Sequence, residues 1–277
     1  MALVSRKTRL DVRDGDRPTI AVSGPLDLRC AAELSTVIRG LLSESDKVEL
    51  DLSDADYIDS RCMSVLVNAH NSASLQGKTL NLLACSPPIE RALQFSGLGE
   101  PFGLPSKTKS DAATAETRPL CRGDEDWQIY ESVAKSDCDL VKELRDIAVE
   151  AAVECGMSAE EIQDVELAVG EALTNAYRHG SPRRCENNIR LRCLTRSDTF
   201  VAEVTDEGAP FNPSMSSMPN ARKLQSGGLG LFLMRATMDE VEISNEGRGN
   251  RVRMVKRLGA SKKNCPSALG DRAPFQG

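Results

Sequence analysis

Three short runs in the C-terminal half of the sequence bring together residue types that do chemistry. The first is Glu171-Ala-Leu-Thr-Asn175-Ala-Tyr-Arg-His179-Gly180, at the end of a helical pattern. Glu171 and Asn175 lie one turn apart on one helix face, and Ile162, Val165, Val169, Leu173 and Ala176 form an apolar stripe on the opposite one. A carboxylate and an amide so placed can act as general base and as ligand of magnesium, which prefers hard oxygen donors. The same spacing also describes a solvated polar face. The second run, Asp206-Glu-Gly208-Ala-Pro-Phe-Asn-Pro213, directly follows a strand pattern. It reads as an ordinary turn, or as an Asp that accepts a hydrogen bond from an exocyclic amine while Gly208 lets backbone approach a ring. The third, Ser226-Gly227-Gly228-Leu229-Gly230-Leu-Phe-Leu-Met234, is a glycine-rich loop entering an apolar helix. Free N–H groups at such a helix start make an anion site.

Composition narrows the classes of protein that can carry these runs. The 277 residues are 40% hydrophobic, 27% charged and 4% aromatic, with a net charge of −6. Charges interrupt every apolar stretch, so none nears the ~20 residues of a membrane-spanning helix. The basic residues Arg6, Lys7 and Arg9 precede no apolar segment, so no secretory signal is expected and a cytoplasmic location is. The acidic balance offers nucleic acid no basic footprint. The nine cysteines are odd in number and never spaced C-x-x-C, which fits neither a disulfide framework nor a zinc site. His70 and His179 belong to no triad or metal motif.

The elements that must position the three runs divide into two blocks. Residues 105–126 are small, polar and charged and read as a linker; residues 259–277 are rich in Gly, Pro and Ser and read as a disordered tail. In the block 1–104, strand patterns at Thr19–Ser23, Val48–Leu52 and Thr79–Ala84 alternate with helical ones at Ala31–Leu42, Ser60–Leu75 and Pro88–Phe95. That order predicts a small, mostly parallel or mixed sheet with crossover helices. The block 127–258 opens with helices at Asp139–Cys155 and Ser158–Arg178, the latter with Ser158 and Glu161 as a capping box. Strands follow at Asn188–Thr195 and Thr199–Thr205, then a helix at Gly227–Met238 and strands at Val241–Ser244 and Arg251–Arg257. Helices on one face of a largely antiparallel sheet, an α/β sandwich, fit this order.

In sequence the three runs resemble the N, G1 and G2 boxes of the GHKL ATPase superfamily. The wording is similar to the anti-sigma-factor serine kinase branch over nearly all of residues 127–258, including the ending Gly249-Asn-Arg-Val-Arg-Met-Val-Lys256. The resemblance implies a site for ATP and Mg2+. Glu171 would be the base that deprotonates the attacking hydroxyl, and Asn175 would hold magnesium. Asp206 would read the adenine amine with Gly208 beside it; His179 ends the N box within the nucleotide site, and Gly228, Leu229 and Gly230 would cradle phosphates. Residues between Phe211 and Gly227 would form an ATP lid, whose Arg222 and Lys223 either reach the γ-phosphate or stay solvated. No phosphoacceptor-histidine helix precedes this block, so the expected acceptor is a hydroxyl on a partner.

The first block resembles a STAS domain, the fold of anti-sigma-factor antagonists, over about residues 9–103. The matching features are Gly24-Pro-Leu-Asp27, Val48-Glu-Leu-Asp-Leu52 and Tyr57-Ile-Asp59-Ser60. Antagonists of this family usually carry Asp-Ser-Ser/Thr-Gly and take phosphate on the residue after Asp-Ser. Here Arg61 stands at that position and Cys62 replaces the glycine. Ser60 is then either a helix N-cap or a substitute phosphoacceptor. The resemblance thus implies a serine/threonine kinase acting on separate STAS antagonists in a partner-switching circuit, with a sigma factor as second partner and a homodimer as the assembly. The alternative is a non-catalytic, ATP-responsive protein-binding module with the STAS domain as its intramolecular regulator.

Overall fold

The computed structural model describes residues 7–96, 98–104, 127–182, 186–210, 229–245, 247 and 249–258. The expected linker at 105–126, the lid and the tail at 259–277 lie outside the described residues.

The N-terminal part is a four-stranded mixed sheet in the order β1-β2-β3-β4, from β1 (Arg9–Arg13), β2 (Thr19–Leu26), β3 (Lys47–Ile58) and β4 (Thr79–Cys85). β1 runs antiparallel to β2, and β2, β3 and β4 run parallel. Helices α1 (Ala31–Glu44), α2 (Ser60–Leu75) and α3 (Pro87–Ser96) complete the layer. Leu34 and Ile38 of α1 and Met63, Leu66 and Val67 of α2 join Ile20, Val48, Leu50 and Leu52 of the sheet in one apolar core. β3 runs six residues past its expected end, because Asp51 accepts from the amide and hydroxyl of Ser53 at an irregularity and the strand then continues beside β2 to Ile58. That extension delivers Asp59 and Ser60 to the end of the sheet, where the Asp59 amide donates to the Leu26 carbonyl at 2.9 Å.

The C-terminal part is a five-stranded antiparallel sheet in the order β5-β6-β7-β9-β8. Its strands are β5 (Gln128–Lys135), β6 (Asn188–Arg196), β7 (Thr199–Thr205), β8 (Glu240–Asn245) and β9 (Asn250–Arg257), accompanied by α4 (Cys138–Glu154), α5 (Ala159–Arg178) and α6 (Leu229–Thr237). α5 starts at the expected capping box: the Ser158 side chain bonds the Glu161 amide and Glu161 reaches back to the Ser158 amide. Val165, Ala168, Val169, Ala172, Leu173 and Ala176 of α5 share the core with Ile189, Leu191, Phe200, Ala202 and Met254 of the sheet.

The two parts share an interface. Leu167 of α5 and Leu229 and Leu233 of α6 belong to the same apolar cluster as the N-terminal core. The Arg145 guanidinium of α4 stacks 3.9 Å from the centre of the Tyr57 ring. Arg91 of α3 donates to Asp164 of α5 at 2.9 Å, and Asp164 also accepts from Lys256 at 2.6 Å. Arg29 adds a bond to Asp139 at 3.1 Å. Among the described residues no helix is long and apolar enough to cross a membrane, and no group of three or more His, Cys, Asp or Glu is gathered to hold a metal.

Candidate active site

Asp164, Leu167, Glu171 and Asn175 recur along α5 every three or four residues, with Gly170 beside Glu171, off the stripe that packs on its own sheet. This is the face that meets the N-terminal domain, which corrects the reading of Glu171 as part of a solvated polar face: its side chain is fully buried. Gly170 allows the approach, since a β-carbon there would overlap the Tyr57 hydroxyl.

Both carboxylate oxygens of Glu171 are bonded to one residue of the other domain. The Ser60 amide donates to Oε1 at 2.6 Å and the Ser60 hydroxyl donates to Oε2 at 2.7 Å. Ser60 is not the N-cap of α2, a second correction. Asp59 holds that position, its carboxylate accepting from the Cys62 amide at 2.8 Å. Ser60, first in the helix, has an N–H and a hydroxyl that no partner within its own helix takes, and both reach Glu171. Arg61, next in the chain, is exposed. Cys62 is buried with its sulfur 3.9 Å from that of Cys30.

Burial pushes the Glu171 carboxyl up to about 7, and the nearby charge of Asp59 adds to the rise. The two Ser60 donors and Arg178 oppose it by favouring the ionised form. Asp59 is itself raised to about 6, mainly by burial. Two adjacent carboxyls thus titrate near neutrality, which suits a group that takes a proton from a hydroxyl and later gives it up.

Gly230, the second residue of α6, faces this carboxylate: a β-carbon there would lie 2.5 Å from Glu171 Oε2 and 3.3 Å from Asn175 Nδ2. The start of α6 therefore meets the Glu171–Asn175 turn directly, with half-buried Asn175 beside it. Leu229 sends its side chain into the interdomain core. Gly228, Arg222 and Lys223 lie outside the described residues.

Asp206 marks the other end of the site, at the end of β7. Its Oδ1 accepts from the Gly208 amide at 2.8 Å and from Asn250 Nδ2 at 2.9 Å. β-Carbons at Gly180 or Gly249 would overlap Asp206, and one at Gly208 would lie 2.5 Å from the Gly180 Cα and 2.9 Å from the His179 carbonyl oxygen. The close approach at Gly208 is thus to the end of α5. His179 itself is the exposed C-cap of that helix.

Both domains have counterparts among known proteins. Residues 134–256 match a histidine kinase-like ATPase domain, and residues 10–105 match a Mlab, STAS domain. The serine-protein kinase RsbW of Bacillus subtilis (strain 168) is 33% identical over 119 residues, which are 39% of this chain and 71% of RsbW. The anti-sigma F factor of Thermoanaerobacter sp. (strain X514) is 31% identical over 123 residues, which are 43% of this chain and 85% of that protein. The chain belongs to the RsbW and anti-sigma F factor family. A solved structure of the RsbU and RsbW domains of Rv1364c from Mycobacterium tuberculosis aligns with a TM-score of 0.37 at 20% identity, covering 47% of this chain and 32% of that one.

In this member of the RsbW family, several residues of the site escaped the sequence reading. Asn250 holds Asp206, and only its place between Gly249 and an alternating strand hints at it. Asp164 and Leu167 lie seven and four residues before Glu171, so their common face was readable, but its partner was not. Tyr57 and Arg91 carry no sequence signal for the interface they make.

Proposed function

We propose that the chain is an ATP-dependent protein serine/threonine kinase that phosphorylates STAS-domain anti-sigma-factor antagonists in a partner-switching circuit, acting in the cytoplasm, with a sigma factor as its second partner. The observation that carries this reading is the 2.7 Å bond from a serine hydroxyl at the start of a STAS helix to the buried carboxylate of Glu171. A base within hydrogen-bond reach of the proton it removes is the first requirement of hydroxyl activation.

The residues around that contact fit a magnesium nucleotide. Asn175 offers an amide oxygen of the hard kind magnesium takes, one turn from the base. The start of α6 at Gly230 offers the positive end of a helix to phosphate oxygens. Asp206, held by Asn250 and Gly208, presents a fixed carboxylate for the adenine amine, with Gly228, Leu229 and His179 assigned to the same nucleotide site. Bound ATP supplies the phosphoryl group; the protein contributes position, a base and charge compensation. Glu171 orients the acceptor and takes its proton, and a STAS domain seated over it keeps water from competing for the phosphoryl group.

Incubation of the full chain with labelled ATP, Mg2+ and a separate STAS antagonist carrying Asp-Ser-Ser/Thr-Gly tests the proposal. Label on the antagonist is expected. Nucleotide binding without label on any protein would favour the non-catalytic binding module, in which the STAS domain acts as an intramolecular regulator.

A further inference from the structure

We propose that Cys30 and Cys62 are a redox-modified pair, which a hydroperoxide converts to a disulfide, and that closing this bond loosens the STAS domain from the C-terminal domain. The inference goes beyond the proposed function and does not depend on phosphoryl transfer.

Two buried thiols meet where two helices begin. Cys30 is the N-cap residue of α1 and Cys62 is the third residue of α2. Their sulfurs are 3.9 Å apart, and each lies 3.3 Å from the Asp27 carbonyl oxygen. Neither sulfur caps its helix: the Asp59 carboxylate caps α2, and Cys30 makes no side-chain cap bond to α1. A disulfide needs about 2.05 Å between sulfurs, so closure asks for a movement of roughly 2 Å.

The pair is chemically unequal. The bond from Cys62 holds the Cys30 thiol below its ordinary range, against the effect of burial. The same bond, with burial, pushes the Cys62 thiol up. Burial likewise pushes up the thiols of Cys85, Cys155 and Cys193, so Cys30 is the described thiol poised to ionise. The start of α1 favours a thiolate there as well. Hydrogen peroxide is small and neutral, and helix ends open locally more readily than helix interiors, so it reaches a site closed to bulkier oxidants.

In the step itself, the Cys30 thiolate attacks one peroxide oxygen. An S–O bond forms, the O–O bond breaks, and the departing hydroxide takes the proton that Cys30 released, giving water. The Cys62 sulfur then attacks the sulfenic sulfur of Cys30. The S–S bond forms, the S–O bond breaks, and the leaving hydroxide combines with the Cys62 proton as a second water. The two thiols together lose two electrons, and peroxide gains them. Where thiols are kept reduced, such a bond is transient and suits a sensor.

The pair lies beside two points at which the STAS domain holds its neighbour. Next to Cys30, Leu28 packs on the C-terminal core and Arg29 bonds Asp139 at 3.1 Å. Two residues before Cys62, Ser60 bonds the two Glu171 oxygens at 2.6 and 2.7 Å. Both cysteines are buried in a close-packed core, which leaves little room for closure by side-chain rotation alone. The start of α2 is therefore drawn toward α1. Hydrogen bonds are lost within a shift smaller than the one closure requires, so Ser60 is withdrawn from Glu171.

The full chain is treated with hydrogen peroxide, unfolded in an alkylating agent and mapped by non-reducing peptide mass spectrometry, with hydrogen exchange followed over residues 57–63 and 170–175. One Cys30–Cys62 cross-link per chain is expected, formed at a rate independent of protein concentration and reversed by dithiothreitol. Exchange in both segments should rise at least tenfold and return on reduction. Cys62→Ala should stop at a sulfenic acid on Cys30, and Cys30→Ala should leave Cys62 a thiol; the cross-link in the parent is read without either variant. Alkylation of both thiols after peroxide, over-oxidation without a cross-link, or a link from either to another cysteine overturns the site. A sulfenic acid on Cys62 in Cys30→Ala overturns the order of attack, and a cross-link with unchanged exchange overturns the loosening.

Discussion

The two ends of the candidate cleft are built differently. The Asp206 end is closed within the C-terminal domain: Asn250, Gly180, Gly208 and Gly249 all belong to it, and its bonds and close approaches cross no domain boundary. The Glu171 end is completed by the other domain, since both carboxylate oxygens are occupied by Ser60 and the surrounding seam by Tyr57 and Arg91. Under the proposed function the self-sufficient end would bind the adenine base and the covered end would be catalytic, so that nucleotide binding and phosphoryl transfer would be controlled separately. The four changes that follow test that separation.

Glu171→Gln has the largest expected effect. It keeps shape and removes the proposed base, so phosphoryl transfer should fall about 10²- to 10⁴-fold, as losing a general base typically does, while nucleotide affinity by titration calorimetry stays within about twofold of the parent. Gly249→Ala attacks the opposite end. Its β-carbon would overlap the Asp206 carbonyl, a strain of roughly 1–3 kcal/mol. Nucleotide affinity should fall with it, while interdomain protection in hydrogen exchange is retained.

Arg91→Ala loosens the covering without touching the cleft. Asp164 keeps Lys256 and Glu160, which loses its 3.5 Å pair with Arg91, is exposed, so no buried carboxylate is left unpaired, and the expected weakening of docking is about 1–2 kcal/mol. Exchange over residues 170–175 should rise and nucleotide affinity should not change. The smallest effect is that of pH. Glu171 is raised from 4.5 to about 7 and Asp59 from 3.8 to about 6, so the docked form binds protons that an opened, hydrated form releases. Docking is therefore strongest at low pH and weakens as pH rises through these values, with Arg178 and the Ser60 donors softening the trend at Glu171. Between pH 6 and 8 the loss should be about 1 kcal/mol, read as faster exchange at 170–175 after correction for intrinsic rates.

What was legible in the sequence follows the same division. The α5 pattern with its capping box, the Asp206–Gly208 turn and the alternating strands β6, β7 and β9 are local signals, and local periodicity carries them. Edge strands β1 and β5 were missed because they bury little: β5 leaves Ile129 and Val133 half exposed, so its pattern is weak. The partner of the Glu171 face was invisible for a different reason. A polar stripe reads as solvated unless something covers it, and what covers it here is more than 100 residues away in the chain. The cap of α2 was misplaced by one residue, because Asp59 and Ser60 are both good N-cap residues and only the extension of β3 decides between them.

The STAS domain sits on the proposed base, with Ser60 against Glu171. Hydrogen exchange of the nucleotide-free full chain tests it most directly, comparing residues 57–63 and 170–175 in the parent and in Gly170→Ala, whose added β-carbon would push on the Tyr57 hydroxyl. Both segments should be protected in the parent and lose protection together in the variant, with the strands of both sheets unchanged. Residues 57–63 and 170–175 exchanging as fast in the parent as in the variant would contradict it.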